Sequence, residues 1–234
     1  KLTRPTKGMG NFFQMLEYKI KKSNVDVKTN VKAKKIIIEN DTVRGVKLAD
    51  STILRSNTVL CSSGLNSMKN LVGISSLDIE DTRSIRNLRI LGTTAKVNLT
   101  LSKLPSFENI NGTITDYRFI VAPSVDYVDK AFNCCKYGRF SEDLVSESVF
   151  TVIKGAIWLS SIIQFIPSKL KGGWNQTAKE RLKKLYVQSF SAFFPDIAEL
   201  IDDYEVITPN DFASDLGIEG GNWNHSELSL DQLF

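Results

Sequence analysis

The sequence predicts an α+β fold in which helices accompany mixed β-sheets. A helical pattern comes first, because Phe12, Leu16 and Ile20 recur at four-residue spacing. The stretch Val25–Ser62 then alternates apolar and polar residues in short runs separated by polar turn pairs. Alternating runs return from Thr93 onwards, and period-two alternation bounded by turn residues is typical of β-strands.

The first helix is expected to begin at Asn11, a residue that caps helices well. Phe13 and Met15 broaden its apolar face. Gly8 and Gly10 precede the expected cap, and glycines beside a helix start let backbone amides approach an anion. A simple turn explains the same two glycines, and on spacing alone it is the favoured interpretation, because two glycines are a weak signal.

The stretch after this helix is interpreted as one strand followed by a β-meander. Polar pairs at Asn40-Asp41 and Asp50-Ser51 mark its tight turns. The expected strands are Val25–Thr29, Ala33–Ile38, Val43–Leu48 and Ile53–Cys61. The unit is therefore read as helix, strand, meander and strand.

The pattern changes near Val72, which predicts a second domain after that point. Leu65–Val72 is expected to be a short helix, and the polar stretch Ser75–Leu88 is either helical or irregular. Strands are expected over Thr93–Leu101, Gly112–Ala122, Glu147–Lys154, Ile157–Ile166 and Asp203–Thr208.

Three further helices follow from capping signals. Ser124 is expected to cap a helix over Asp126–Tyr137 that Gly138 stops. Thr177 and Glu180 have capping-box spacing before a helix that ends at Pro195. The residues expected to line its buried face are Leu182, Leu185, Tyr186, Ser189 and Phe193. Pro209–Leu216 is the last helix, capped by Thr208 or Asp211 and stopped by Gly217.

Composition excludes several classes of protein. A net charge of +4 over 234 residues, without a basic stripe carrying stacking aromatics, argues against a nucleic-acid platform. Three cysteines and one histidine argue against a disulfide framework and a zinc site, so no metal is expected. The longest apolar run, Ala156–Pro167, is too short to span a bilayer.

No self-sufficient active site stands out from the residues alone. The sequence contains neither a P-loop nor a G-x-G-x-x-G motif. His225 lies near Glu227 and Asp231, which suggests an acid/base group, although a lone histidine in a polar loop is more often a hydrogen-bonding residue. The three tryptophans could line an apolar pocket, but packing is the commoner role of each: Trp158, Trp174 and Trp223.

The segment Leu216–Phe234, LGIEGGNWNHSELSLDQLF, resembles flavin-dependent oxidoreductases of the phytoene desaturase-like group, nearest the pyridine nucleotide-disulfide oxidoreductase domain-containing proteins. The matching positions are Gly220, Gly221, Asn222, His225, Glu227, Leu228, Ser229, Leu230, Asp231 and Gln232. Pro5–Gly10, Val25–Ser62, Ser124–Arg139 and Leu170–Trp174 resemble further family segments in the same order.

The resemblance implies an interior part of an FAD-dependent oxidoreductase, active at full length, with an FAD-binding Rossmann-like domain of which the meander is one side. Residues 1–72 would belong to that domain, residues 73–222 to a mixed-sheet substrate domain, and residues 223–234 to a return segment. The residues implied near the cofactor are Gly8, Met9, Gly10, Ala33, Ser62, Ser63 and Gly64. His225 and Glu227 are implied as a catalytic polar pair. Because the pyrophosphate-binding glycine turn is missing, FAD binding by this chain alone is expected to be weak or absent.

The chain departs from the family pattern at a few of these positions. Lys7 replaces the first glycine of the family loop, Ala33 replaces a larger valine, and Cys61–Gly64 replaces an S-N-A-D run. Asn224 and Ser226 make the surroundings of the histidine more polar than in the family. The departures at Lys7 and at residues 62–64 leave room for a non-catalytic scaffold derived from a flavoprotein. A carrier of apolar ligands is a further alternative, which rests only on the expected apolar pocket.

The same resemblance sets expectations for partners and location. The expected partner is a small apolar substrate. A peripheral membrane contact and a homodimer both stay open, and composition argues against nucleic acid. The expected compartment is the cytoplasm, or the mitochondrial matrix for a eukaryotic source.

Overall fold

A computed structural model describes residues 8–106 and 112–232, and its chain forms two compact units. Unit 1 comprises residues 1–83 and unit 2 comprises residues 84–234. Both combine helices with antiparallel sheets, so the predicted α+β class is confirmed. The functional boundaries expected after residues 72 and 222 stay predictions, and the Lys7 departure lies outside the described residues.

Unit 1 begins with the predicted helix, α1, which spans Gly8–Lys22 and so starts before the expected cap Asn11. Its last turn carries Lys19, Lys21 and Lys22, which complement the negative end of the helix dipole. Apolar side chains of α1 are exposed, including Phe13 at 60%.

The meander is confirmed as a three-stranded antiparallel sheet of β1 (Ala33–Glu39), β2 (Thr42–Leu48) and β3 (Ile53–Arg55) in that order. Asn40 and Asp41 join the first two strands with φ of 50° and 57°, the left-handed values that a two-residue hairpin turn requires. Ile36 and Leu48 are the buried side chains of this sheet.

Two strand predictions in unit 1 are wrong. Val25–Thr29 is irregular, and the strand expected over Ile53–Cys61 stops at Arg55. A strand needs a hydrogen-bonded neighbour, and none of the described strands pairs with Val25–Thr29 or with residues 57–61. Val25 and Val27 are accordingly half exposed, at 52% and 49%.

Helix α2 spans Leu65–Val72, as predicted, and packs against β1. Helix α3 spans Ile79–Asn87 and resolves the stretch that the sequence left open between helical and irregular. Glu80 and Asp81 in its first turn and Arg86 in its last turn suit the helix dipole.

Unit 2 contains a five-stranded sheet with the order β5-β6-β7-β4-β8. The strands are β4 (Thr94–Leu101), β5 (Arg118–Val121), β6 (Ser146–Ile153), β7 (Ala156–Gln164) and β8 (Ile201–Ile207). Every pairing in it is antiparallel, which corrects the expected mixed sheet. One cause of the antiparallel pairing is the tight turn at Lys154-Gly155 between β6 and β7, because so short a connection can only join antiparallel strands.

The strand predicted over Gly112–Ala122 is also too long, because β5 begins only at Arg118. Thr113 and Asp116 form a reciprocal capping box that closes a short 3₁₀ turn over Ile114–Asp116. Local side-chain hydrogen bonds therefore replace the first half of the expected strand.

Three helices complete unit 2: α4 (Val125–Lys136), α5 (Gln176–Ser191) and α6 (Pro209–Leu216). The Ser124 hydroxyl accepts a hydrogen bond from the Tyr127 N–H at 3.2 Å, which confirms the predicted cap of α4. The cap of α5 is Asn175 instead of Thr177, because its side chain accepts the Ala178 N–H at 2.9 Å.

The core of unit 2 lies between α5 and the sheet. Leu182, Tyr186 and Phe190 form the buried stripe of α5 at four-residue spacing. Phe193, expected on this face, is 49% exposed, and Phe190 and Phe194 are buried in its place. The ring of Phe194 packs edge-on against Phe119 and Phe150 from the sheet.

Candidate functional site

Unit 1 contains a cleft of about 920 Å³ that brings together three of the residues expected near a cofactor: Ala33, Ser62 and Ser63. The other residues that line it are Lys32, Lys34, Ile36, Val46, Ala49, Val59, Leu60, Cys61, Ser67, Asn70 and Leu71. Its volume is within the range of about 300–1,000 Å³ that small-molecule sites occupy.

The strand β1 forms one wall of the cleft from the edge of its sheet. The pairing register shifts between Ala33 and Lys35, so that Lys34 is an extra residue opposite Lys47 and Leu48. Such bulges are frequent beside binding sites, where they redirect side chains. At a sheet edge, one side of the strand backbone remains available for a ligand.

A second wall comes from residues 59–63 and from three residues of α2: Ser67 in its first turn, and Asn70 and Leu71 near its end. Gly64 is the N-cap of α2, with φ of 87°, and no side chain caps the helix there. Backbone N–H groups at a helix N-terminus attract anions, and Lys32 and Lys34 add positive charge to the lining. The cleft therefore combines an apolar floor with groups that suit a phosphorylated ligand.

The remaining cofactor-set residues lie elsewhere in unit 1. Gly64 adjoins the cleft without lining it, while Gly8, Met9 and Gly10 form the first turn of α1. Gly8 has φ of 78°, and among the described residues no atom outside the helix's own backbone lies within 4 Å of a side-chain carbon placed on it or on Gly10. The expected position of these three residues near a cofactor stays a prediction.

The expected polar pair of unit 2 consists of His225 and Glu227. Both residues are exposed, and their hydrogen-bond partners differ. The Glu227 carboxylate Oε2 lies 2.6 Å from Nε of Arg89, to which it is ion-paired. The His225 backbone N–H donates to the carbonyl of Asn222 at 2.8 Å. Glu227 is therefore engaged by an arginine, and its pairing with the histidine stays a prediction.

Arg89 is the residue of this region that the sequence did not single out. It lies two residues after the end of α3, and its partners Glu227 and Ser229 are distant along the chain. The sequence contains one indirect signal, which is the resemblance of the segment Leu216–Phe234 to a known family. Three residues of that segment contact Arg89 in the structure: Glu227, Ser229 and Gln232.

The paired glycines of that segment serve close backbone packing. A β-carbon on Gly220 would overlap the carbonyl of Ile90, and one on Gly221 would overlap the carbonyl of Pro209. Both glycines also have positive φ, 63° and 68°. Gly92 donates its N–H to the Gly220 carbonyl at 2.8 Å, so the segment is docked on residues 90–92.

The three tryptophans lie on different elements of unit 2. Trp174 stacks on Phe140 with ring centroids 5.9 Å apart, whereas Trp158 lies on β7 and Trp223 lies in the loop before His225. In the part of the chain that the structure describes, no group of three or more His, Cys, Asp or Glu side chains could hold a metal ion. No helix of the same part is long and apolar enough to cross a membrane.

Comparison with solved structures supports the class of fold. An oxidoreductase from Methanosarcina mazei matches with a TM-score of 0.57 at 14% identity, over 86% of this chain and 42% of that chain. A protein from Pyrococcus furiosus matches with a TM-score of 0.55 at 14% identity, over 97% of this chain and 55% of that chain. At this identity the likeness is one of fold.

Sequence comparison adds distant relatives. Pyridine nucleotide-disulfide oxidoreductase domain-containing protein 2 of Rattus norvegicus is 25% identical over 210 residues, which is 82% of this chain and 36% of the relative. The Mus musculus protein of the same name is 25% identical over 209 residues, with the same coverage. No family model matches. The chain is thus a distant homologue of proteins named as oxidoreductases and spans about a third of their length.

Proposed function

We propose that the chain is an interior part of an FAD-dependent oxidoreductase of the dehydrogenase or desaturase type, acting on a largely apolar substrate. The distant oxidoreductase relatives and the oxidoreductase-like fold support the class of activity. Bound FAD would supply the hydride acceptor, while the protein binds and orients the reactants.

The observation that carries the proposal is the cleft of unit 1, in which Ala33, Ser62 and Ser63 share one cavity. Its residues fit the adenine end of FAD. Ala33 contributes edge-strand backbone and only a methyl group, which leaves room for a flat ring. Lys32, Lys34 and the uncapped start of α2 would attract the phosphates.

Unit 2 would supply the residues that contact the substrate. Its five-stranded sheet is held rigidly by the aromatic core under α5, and a rigid scaffold is what a precise site requires. His225 is the polar group that we assign to the substrate, because its imidazole is exposed on a loop that other residues hold in place. The carboxylate of Glu227 would act on that loop through Arg89.

The visible absorbance spectrum tests this function. We expect flavin bands near one equivalent in the longer polypeptide that contains this chain, and much weaker bands in this chain alone, because its sequence has no glycine turn for the pyrophosphate. A longer polypeptide that remains colourless after incubation with FAD would overturn the proposal and favour the scaffold role.

A further inference from the structure

His225 lies in a loop whose backbone is set by its own hydrogen bonds. Its φ is 70°, a left-handed value that non-glycine residues seldom adopt and that tends to occur at functional sites. Asn222, which is buried, accepts the His225 N–H at its carbonyl and the Asn224 N–H at its side-chain Oδ1, at 2.8 Å and 3.0 Å. The histidine backbone is therefore held in one conformation.

Both ends of this loop are attached to one short stretch of unit 2, residues 89–92. At the first end, the Gly92 N–H donates to the Gly220 carbonyl at 2.8 Å. At the other end, the Glu227 N–H donates to the Arg89 carbonyl at 2.9 Å. His225 thus lies between two fixed points, and the position of residues 89–92 decides where its imidazole is.

The Arg89 side chain strengthens the second attachment. Its Nε donates to Oε2 of Glu227 and its Nη2 donates to the Ser229 hydroxyl, each at 2.6 Å. The Arg89 backbone N–H donates to Oε1 of Gln232 at 2.8 Å, and Nε2 of Gln232 donates to the Glu227 carbonyl at 2.8 Å. The planar guanidinium, with several donors in a fixed geometry, suits such a junction better than an ammonium group.

We propose that Arg89 is a positioning residue for His225. By holding Glu227 and Ser229, it fixes the end of the loop and keeps the imidazole in one place on the surface. Arg89 does not itself meet the substrate. The inference rests on the proposed function only in assigning His225 to the substrate; the mechanical role of Arg89 stands on the contacts alone.

Hydrogen exchange of the His225 and Glu227 backbone amides, followed by NMR on this chain without flavin, tests the role. Arg89→Met removes the guanidinium but keeps an apolar stem, and Arg89→Lys keeps the charge. Arg86→Met is the matched control, since Arg86 is an exposed residue in the last turn of α3 and loses the same charge. His225 is the only histidine in the sequence, so its imidazole Hε1 signal is identified directly and its line width reports loop motion.

We expect Arg89→Met to accelerate exchange at both amides about tenfold or more and to narrow the imidazole signal. Arg89→Lys should give intermediate rates, and Arg86→Met should leave them unchanged. Exchange in Arg89→Met that equals the wild type, or acceleration of the same size in Arg86→Met, would overturn the proposal.

Two provisions keep the test decisive. If Arg89→Met does not fold, Glu227→Gln replaces it, because it removes the charge from the other side of the same contact. A failure of the flavin proposal would leave these exchange rates unaffected, since they are measured without flavin. A failure of the Arg89 proposal would conversely leave flavin absorbance intact.

Discussion

Ala33 and Ser63 line the same cleft, although the whole β-meander separates them along the chain. Ala33 comes from the edge strand β1, and Ser63 comes from the segment that leads into α2. The packing of α2 on β1 brings the two residues together. This relationship makes the cleft a direct consequence of the fold of unit 1 and the natural target for a test of ligand binding.

Filling the cleft should weaken nucleotide binding to the longer polypeptide that contains this chain. Ala33→Trp places a large ring where the lining now has a methyl group, so we expect the Kd for FAD or ADP to rise about tenfold or more. Fluorescence titration measures the change. Ile53→Trp is the size-matched control, because Ile53 is 45% exposed on β3 and does not line the cleft. Equal Kd values for the two variants would contradict the site.

A side chain at Gly220 should destabilise unit 2. Its φ is 63°, and a β-carbon there would overlap the backbone carbonyl of Ile90. Gly217 is the matched control, since its φ is 67° but nothing lies within 4 Å of a β-carbon. We expect Gly217→Ala to lower the free energy of unfolding by about 1 kcal/mol and Gly220→Ala to lower it by about 3 kcal/mol, measured in urea. Equal losses would show that the close approach to Ile90 is absent.

The buried hydroxyl of Tyr186 should stabilise unit 2. It is hydrogen-bonded to the Ser148 hydroxyl at 3.0 Å and to the Ser161 hydroxyl, all three being fully buried. Tyr186→Phe leaves both serines without this partner, and we expect a loss of about 1–3 kcal/mol in the free energy of unfolding. Tyr204→Phe, which alters only an exposed contact with Gln176, should change stability by less than about 0.5 kcal/mol. The prediction fails if both variants unfold alike.

Burial also raises the pKa of Tyr186 to about 12, although hydrogen bonds to Ser148 and Ser161 oppose the shift. The folded state therefore retains the phenol proton at a pH where the unfolded chain has released it. This contribution to stability is complete below about pH 10 and is lost as the pH rises to about 12. We expect the stability advantage of the wild type over Tyr186→Phe to shrink by about 2–3 kcal/mol across that interval in urea unfolding. An advantage that stays constant would contradict the buried neutral phenol.

Local signals were sufficient for several elements of the fold. Thr208 and Asp211 form the reciprocal capping box of α6, with the Thr208 hydroxyl accepting the Asp211 N–H at 3.2 Å, and Gly217 ends that helix in a left-handed conformation. Hydrogen bonds from Lys179 and Thr208 outweigh burial and lower the pKa of the Asp211 carboxyl. Such features depend on residues a few positions apart, so the sequence displays them directly.

Features that depend on distant partners could not be read in this way. Val25–Thr29 has a strand pattern but no paired strand, and a sequence pattern does not say where a neighbour lies. Arg89 was missed for the same reason, since its partners Glu227 and Ser229 come from the far end of the chain. The resemblance to a family identified Ala33, Ser62 and Ser63, which the cleft then brought together.

Cysteine footprinting tests the central claim, that the cleft of unit 1 binds FAD. Cys61 is exposed and lines the cleft, with its Sγ 3.1 Å from the Ser63 hydroxyl. Cys134 lies in unit 2 and serves as the control, while burial raises the pKa of the Cys135 thiol to about 11 and slows its reaction.

The rate of iodoacetamide labelling at each cysteine, measured by mass spectrometry, is the decisive quantity. In the longer polypeptide that contains this chain, we predict that millimolar FAD slows the alkylation of Cys61 about fivefold or more and leaves the rate at Cys134 unchanged, because a ligand in the cleft covers only the first thiol. Alkylation of Cys61 at the same rate with and without FAD would contradict a flavin site in this cleft.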